Sequence, residues 1–543
     1  MSDHRNKCRS DRSGPIENIV IVGGGTAGWI AANTLHRAVS SATTSRCKIT
    51  LVESSNVPTV GVGEATLPTL PALFKYLEIP EREMMAECSA TFKLAIKFAN
   101  WSGLKNHAGE DVFWHPFGLK QYSHGDYVPE AHHWLKVKMQ GEGATDYARD
   151  CFPEVIFCEQ NKAPRKNTDS EYRSRAQYAY HLDAGKLAEY LKKRAIENGV
   201  VHVVDDVVDV STDHEGYIDY IQCREHGRLN GDLYLDCSGF RGLLINQTLK
   251  EPFESYNRYL PCNKAVAMQV PHKEGTVIEP YTTSTAMSAG WIWNTPLTNR
   301  NGNGYVYSSE HTDSEAAELE LRRHTGTLNS DLSARHLDMR VGKTRRSWVR
   351  NCISIGLSGG FIEPLESTGI YLIEAALEHL IHNLPSRRCE SVLANNFNRR
   401  MDAHYEEIRD FLVLHYCITQ REDTSFWQRC KHASEIPDKL QEQLDLWEHA
   451  WPNNKRPGLG PLFHDYSYVC ILAGMQRWPV QSLPLLDHVD PMHSQALINH
   501  LQAKSSHMVE SMPDQRTFLQ QAMHDIPQDA SVHVSDTNVA EAS

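Results

Sequence analysis

After a polar leader, the chain runs into Ile19-Val20-Ile21-Val22. Four β-branched apolar residues in a row suit a strand buried on both faces. Gly23-Gly24-Gly25-Thr26-Ala27-Gly28 follows, then a helical stretch from Trp29 to Val39 and a second strand from Ile49 to Val52 that ends at Glu53. Val200 to Asp236 alternates apolar and polar positions around the turn His214-Glu215-Gly216, which predicts a β-rich stretch. From Ile370 onward the period changes. Ile373, Ala376, Leu377, Leu380, Ile381 and Leu384 fall on one helix face. Residues 402–421 and 436–450 read as further helices.

Composition narrows the classes. The 543 residues carry 55 Lys and Arg against 68 Asp and Glu, a net charge of −13. An acidic chain without a basic tract is poorly suited to nucleic acid or an anionic membrane. No apolar run reaches the ~18 residues of a membrane helix, and the N-terminus lacks a signal-peptide core. A cytoplasmic location is the expectation. The 13 cysteines include no CxxC pair, which favours reduced thiols over a disulfide or zinc framework. No metal is expected.

Gly23-x-Gly25-x-x-Gly28 stands between strand and helix, where a dinucleotide fingerprint belongs. The first glycine permits the turn, the second lets backbone approach a pyrophosphate, and the third lets helix pack on strand. Thr26 and Ala27 lie in the same loop, whose helix N-terminus offers N–H groups to phosphate. Glu53 stands where an acid can hold ribose hydroxyls. Two later strand-turn segments, Leu235-Asp236-Cys237-Ser238-Gly239-Phe240 and Ile355-Gly356-Leu357-Ser358-Gly359-Gly360, favour FAD over NAD. The order resembles flavin monooxygenases, which adds Gly356 and Ile370 to the cofactor residues. A second glycine fingerprint for NAD(P)H is missing.

Five strings in order then carry a family resemblance. They are the glycine loop through Trp29, Gly61-Val62-Gly63-Glu64-Ala65-Thr66, Thr91-Phe92-Lys93-Leu94-Ala95-Ile96-Lys97-Phe98, Gly290-Trp291-Ile292-Trp293-Asn294-Thr295-Pro296, and Phe361-Ile362-Glu363-Pro364-Leu365-Glu366-Ser367-Thr368-Gly369-Ile370-Tyr371. Over roughly residues 16–525 the chain resembles the flavin-dependent tryptophan halogenases, with Thr295 replacing the usual Ile of W-x-W-x-I-P. The resemblance implies that reduced FAD and O₂ convert halide, chloride or bromide, to hypohalous acid. This passes to a lysine beside the substrate, where the indole ring of tryptophan is halogenated. The implied partners are tryptophan or a related indole and a separate flavin reductase, with a homodimer allowed and neither nucleic acid nor a membrane involved.

Carried onto this sequence, the resemblance makes Lys93 the relay lysine and Glu366 the acid that stabilises the cationic ring and takes its proton. Lys97, four residues on, is read as an ordinary solvated lysine. Thr368 and Gly369 match the backbone that holds halide, with Ser367 bridging the flavin and substrate sites. In an extended His115-Pro116-Phe117, His115 and Phe117 share a face and Trp114 lies on the other. They match one wall of the indole clamp, and Phe463 matches the opposing wall. Tyr466 and Ser467 lie near where relatives hold the amino-acid end. Leu462 to Tyr468 resembles the 5-halogenase branch more than the 7-halogenase branch, which leans toward position 5.

The fold class expected is α/β: an FAD-binding Rossmann-like, flavin monooxygenase-like body with a β-rich portion and a helical C-terminal substrate module. The expected division is a disordered leader at 1–14, the body with interleaved substrate-binding segments at 15–395, the helical module at 396–527 and a disordered tail at 528–543. Two other functions stay open. A flavin hydroxylase would need neither lysine relay nor halide site, and a non-catalytic flavin-binding protein would need neither Lys93 nor Glu366.

Overall fold

The β-branched run at the start of the chain becomes the centre of a parallel sheet. In the computed structural model, which describes residues 14–40, 47–57, 63–106, 108–118, 128–141, 145–432, 435–453, 462–479 and 483–524, Asn18–Val22 is flanked on both sides. Lys48–Glu53 pairs on one side and Leu233–Asp236 on the other, both parallel. The sheet continues outward to Val201–Val204 beyond Lys48–Glu53, and to Cys352–Ser354 beyond Leu233–Asp236. Ile19 and Ile21 are fully buried, as two-sided burial requires. The leader up to residue 13, the expected tail and Gly61-Val62 lie outside the described residues.

The β-rich stretch after Val200 resolves into two destinations. Its ends join the parallel sheet. Its middle, Val207–Thr212, Ile218–Cys223 and Gly227–Asn230, forms a small antiparallel sheet around the Gly216 turn.

A larger seven-stranded sheet stands beside this body. It runs in the order Ala334–Asp338, Lys264–Pro271, Arg300–Tyr307, Gly290–Pro296, Tyr281–Ala286, Ala95–Ala99, Val112–Pro116. The sequence motifs touch three of these strands, Gly290–Pro296, Ala95–Ala99 and Val112–Pro116, and leave the other four unmarked. The lysine string splits between two sheets. Thr91–Lys93 pairs with Ala179–Asp183 in a small sheet, while Ala95–Ala99 joins the seven-stranded one. Leu94 makes the crossing, with its backbone bonded to Pro280 and Phe117. Lys93 therefore sits where two sheets meet.

Helices dominate after residue 369, as expected. Gly369–His382 packs against the glycine-loop helix Thr26–Val39. Its apolar face ends earlier than the spacing suggests: Leu384 lies beyond the last turn and is exposed. The helix expected at 402–421 is Ser391–Cys417, and that expected at 436–450 is Asp438–Trp447. The boundary drawn between residues 395 and 396 falls inside the first of these. One buried apolar cluster reaches from Ile16 to Ala522 and includes residues from both sides of that boundary. Among the described residues no helix is long and apolar enough to cross a membrane.

Candidate active site

The glycine loop shows why each glycine is there. Gly23 has φ of +118°, and a Cβ on it would lie 2.2 Å from the Cys237 carbonyl oxygen. A Cβ on Gly28 would lie 1.9 Å from the Gly23 oxygen, so helix and strand touch at that point. A Cβ on Gly25 would meet nothing within 4 Å. Gly25 is the N-cap of Thr26–Val39 and no side chain caps that helix. An open cradle above free N–H groups fits a dinucleotide pyrophosphate.

Thr26 Oγ1 donates to the Ala184 carbonyl (3.3 Å). Gly356, at φ +73°, comes so close to Ala27 that a Cβ would lie 2.7 Å from the alanine methyl. The two turns therefore form one floor. Glu53 is tied down: its Oε1 accepts from Lys192 Nζ (2.7 Å) and His202 Nε2 (2.8 Å). Its Oε2 would clash at 1.7 Å with a Cβ on Gly24, a glycine outside the fingerprint that the packing nonetheless demands.

Ser367, Thr368 and Gly369 form the turn into Gly369–His382. Ser367 takes φ of +61°, Thr368 is the N-cap without a side-chain cap bond, and Gly369 is exposed. Thr368 Oγ1 is buried without a hydrogen-bond partner among the described residues. Ile370, one position on, is packed into the core.

Behind this turn lies Lys93, with no solvent exposure. Its Nζ donates to Ser367 Oγ (2.7 Å) and to the Thr66 carbonyl (3.2 Å), and it stands 4.8 Å from the centroid of the Phe117 ring. Burial lowers its pKa to about 7, against a smaller upward pull from Glu366. Such an amine crosses between charged and neutral forms near neutral pH. Lys97 behaves differently, though it is not the solvated lysine expected. It is half-buried, with its ammonium over the rings of Trp114 (5.6 Å) and Tyr281 (5.9 Å). Trp114 is thus on the opposite face from His115 and Phe117, as alternation predicted.

Glu366 is also fully buried, and both of its oxygens are occupied by imidazoles. His115 Nδ1 lies 2.9 Å from Oε2, and His415 Nε2 lies 3.0 Å from Oε1. Burial alone would raise its pKa. The charge and hydrogen bond of His115, with those of His415, outweigh burial and hold it near 2. His115 was read from sequence as part of an aromatic wall; here it also orients the carboxylate.

The aromatic residues converge on one buried cluster. The His115 ring faces Phe463 and Tyr466, both 6.4 Å away between centroids, and Phe411 at 5.7 Å. Phe463 stacks on Phe411 at 3.9 Å, and its N–H donates to Glu407 Oε1 (3.1 Å). Phe117 packs with Leu67 and Ala179 on the Lys93 side. Ser467 is buried next to Tyr466 and donates its N–H to the His464 carbonyl (2.9 Å).

Glu407, Phe411 and His415 were not singled out from sequence. They lie four apart on Ser391–Cys417 and so share one helix face. That spacing was visible; what it packs against was not. A second missed group is Glu363, whose Oε2 accepts from Trp291 Nε1 (3.0 Å) and the Tyr416 hydroxyl (2.6 Å). It anchors the first tryptophan of the Gly290–Pro296 string to the segment carrying Glu366.

Comparison with known proteins points to one family. A family model described as tryptophan halogenase matches residues 18–491. Tryptophan 6-halogenase SttH of Streptomyces toxytricini is 38% identical over 528 residues, 92% of this chain and 97% of the relative. Tryptophan 7-halogenase RebH of Lentzea aerocolonigenes is 36% identical, covering 94% of this chain and 99% of the relative. A solved structure of a tryptophan C-6 flavin-dependent halogenase from taromycin biosynthesis superposes with a TM-score of 0.86 at 39% identity, over 94% of this chain and all of that one.

Proposed function

We infer the function from one premise: this chain belongs to the tryptophan halogenase family, whose relatives align along nearly its whole length. It is a flavin-dependent enzyme that halogenates the indole ring of tryptophan, using FADH₂, O₂ and a halide. Among the residues, the observation that carries the reading is the fully buried Lys93 ammonium, held between Ser367 at the helix turn and the Phe117 ring. A lysine is rarely buried without a task.

Bound at the glycine loop, reduced FAD with O₂ supplies the two-electron oxidation that turns halide into hypohalous acid. Around it we assign the chain's own groups. Gly23, Gly25, Thr26, Ala27 and Gly28 hold the phosphates, and Gly356 and Ile370 shape the floor. Glu53 holds ribose hydroxyls through what its Lys192 and His202 bonds leave free. The backbone N–H groups at Thr368 and Gly369 receive the halide. Lys93 Nζ holds the hypohalous acid oxygen and makes its halogen more electrophilic. His115, Phe117 and Phe463 clamp the indole, with Tyr466 and Ser467 toward its side chain. When the ring carbon takes the halogen, Glu366 faces the cation and accepts the ring proton. His115 and His415 keep that carboxylate ionised and aimed.

The reduced flavin comes from a separate reductase, since the sequence carries one glycine fingerprint. The relatives compared above are named for positions 6 and 7, so the leaning toward position 5 finds no support in them.

The test is a reaction of purified protein with tryptophan, halide, FAD, NADH and an added flavin reductase, read by mass spectrometry. The expected product carries one halogen and requires every component; its NMR spectrum reports the carbon. Lys93→Ala should make no aryl halide yet still let reduced flavin be reoxidised, and Lys97→Ala should keep substantial activity. Aryl halide from Lys93→Ala at near the parent rate would overturn the assignment. Hydroxylated product in halide-free buffer would favour a hydroxylase.

A further inference from the structure

The strand Gly63–Ala65 ends in an irregular pair. It runs antiparallel to Ala179–Asp183 in the register Gly63↔Asp183, Glu64↔Leu182 and Ala65↔His181. The next pair is Thr66 with Tyr180, both fully buried. A hydrogen-bonded pair in a regular antiparallel ladder exchanges two backbone bonds, each N–H going to the other residue's carbonyl. Here one of the two is rerouted. Thr66 N–H donates to the Tyr180 carbonyl (3.0 Å), but Tyr180 N–H donates to Thr66 Oγ1 (3.0 Å). The same hydroxyl donates to the Tyr180 carbonyl (2.9 Å). The Thr66 side chain thus stands in for its own carbonyl.

The carbonyl so released accepts Lys93 Nζ (3.2 Å), while Ser367 Oγ accepts a second N–H of the same ammonium (2.7 Å). An ammonium has three N–H donors. Two are anchored, on separate elements, and one is left for the hypohalous acid. The frame behind Thr66 is well tied. The Tyr180 phenol donates to Glu81 Oε1 (2.6 Å), as does the Tyr178 hydroxyl (2.6 Å), and Glu81 Oε2 pairs with Arg165 Nη1 (2.8 Å). Nor does the ladder run on past Thr66. Pro68, where the next bonded pair would fall, has no N–H to give.

We propose that the Thr66 hydroxyl is a positioning group for the relay: by taking the Tyr180 N–H in place of its own carbonyl, it frees that carbonyl to anchor Lys93 Nζ. This deepens and rests on the halogenase reading. Serine also carries the hydroxyl, whereas valine keeps the outline of threonine without it. In Thr66→Val the carbonyl can turn back to Tyr180 N–H and close a regular ladder, so the fold stands while Lys93 loses an anchor. A carbonyl that accepts from an ammonium also favours its charged form. The titratable groups whose charges reach Lys93 are Glu366, on the turn, and His181, on Ala179–Asp183, and the substitution leaves both in place.

The experiment compares the parent, Thr66→Val and Thr66→Ser. Tryptophan halogenation, reoxidation of reduced flavin and thermal unfolding are measured in parallel. The ionisation of Lys93 is followed by NMR of protein carrying isotope-labelled lysine, with Lys93→Arg identifying the signal. In Thr66→Val, kcat for aryl halide should fall about 10- to 100-fold, the scale of a misplaced reacting group, with KM for tryptophan and flavin reoxidation within about twofold. The melting temperature should stay near the parent's, and Lys93 should titrate below the parent's value of about 7. Thr66→Ser should keep kcat within about threefold of the parent. A lowered melting temperature with both activities falling together would mean a structural role and would overturn the proposal. So would a near-parental kcat, or an unmoved Lys93 titration, in Thr66→Val. If the parent makes no aryl halide, the halogenase reading fails, and the Lys93 titration alone decides whether Thr66 positions the amine.

Discussion

Glu366 shows how much one side chain depends on residues far along the chain. His115 comes 251 positions earlier and His415 is 49 later, and each occupies one carboxylate oxygen. With its pKa held near 2 by those partners against burial, the carboxylate stays ionised throughout the range in which proteins work. It is thus always ready to accept the ring proton. Glu366→Gln keeps the size and removes both charge and basicity. Turnover should fall about 10²–10³-fold, in the range of a lost general base, while the apparent KM for tryptophan changes little. Steady-state kinetics would check this, and a variant retaining half the parental turnover would remove Glu366 from proton transfer. At this scale much of the site was legible, because Lys93, His115 and Glu366 lie in strings with a family pattern. His415, Phe411 and Glu407 escaped. A polar residue in a helix looks alike in sequence whether it meets water or a buried partner.

Between the elements, one buried contact makes stability sensitive to pH. His379, on Gly369–His382, stacks with His404, on Ser391–Cys417, at 5.2 Å between centroids, with their Nε2 atoms 3.0 Å apart. His404 Nδ1 also meets the Tyr371 hydroxyl at 3.2 Å. Burial lowers both imidazoles to about 4. For His379 the charges of His404, Arg400 and His382 add to this, and for His404 the charge of Arg400. Both rings therefore stay neutral in the fold while unfolded imidazoles, near 6.5, take up protons. Stability is full above the unfolded pKa and declines as pH falls from about 6.5 toward 4. Each ring contributes about 2 kcal/mol of that decline between pH 7 and 5. Denaturant unfolding of His379→Gln should show a shallower loss of stability than the parent over this interval. Parallel curves would mean the pair titrates normally. The helices themselves were legible from apolar spacing. Their ends were not, since Leu384 continues the periodicity past the point where the chain leaves the helix.

At the level of the whole molecule, the glycine loop and its parallel sheet followed from β-branched runs and spacing, whereas most of the seven-stranded sheet did not. Strands such as Arg300–Tyr307, where Asn and Gly fill the stretch before the two tyrosines, carry little hydrophobic alternation to read. The crossing at Leu94 from one sheet to another leaves no local mark either. The same interweaving bears on the expected body and helical module. Ser391–Cys417 runs through the boundary at 395/396 and brings Phe411 and His415 against Val112–Pro116 and the Glu366 turn. The buried cluster joins Leu377 and Leu380 to Phe397, Met401, Ile408 and Phe411 across that boundary. Removing everything after residue 395 would expose this apolar face and leave Glu366 buried with one imidazole fewer. Each large apolar side chain uncovered forfeits about 1.5–3 kcal/mol, against a net stability of about 5–15 kcal/mol for a typical protein. The fragment 1–395 should therefore fail to fold cooperatively and should aggregate, by circular dichroism and sedimentation, although it keeps the whole glycine loop. A soluble 1–395 that melts in one sharp transition and still binds FAD would show that the nucleotide body is an independent unit, and that the substrate helices are added to it rather than built into it.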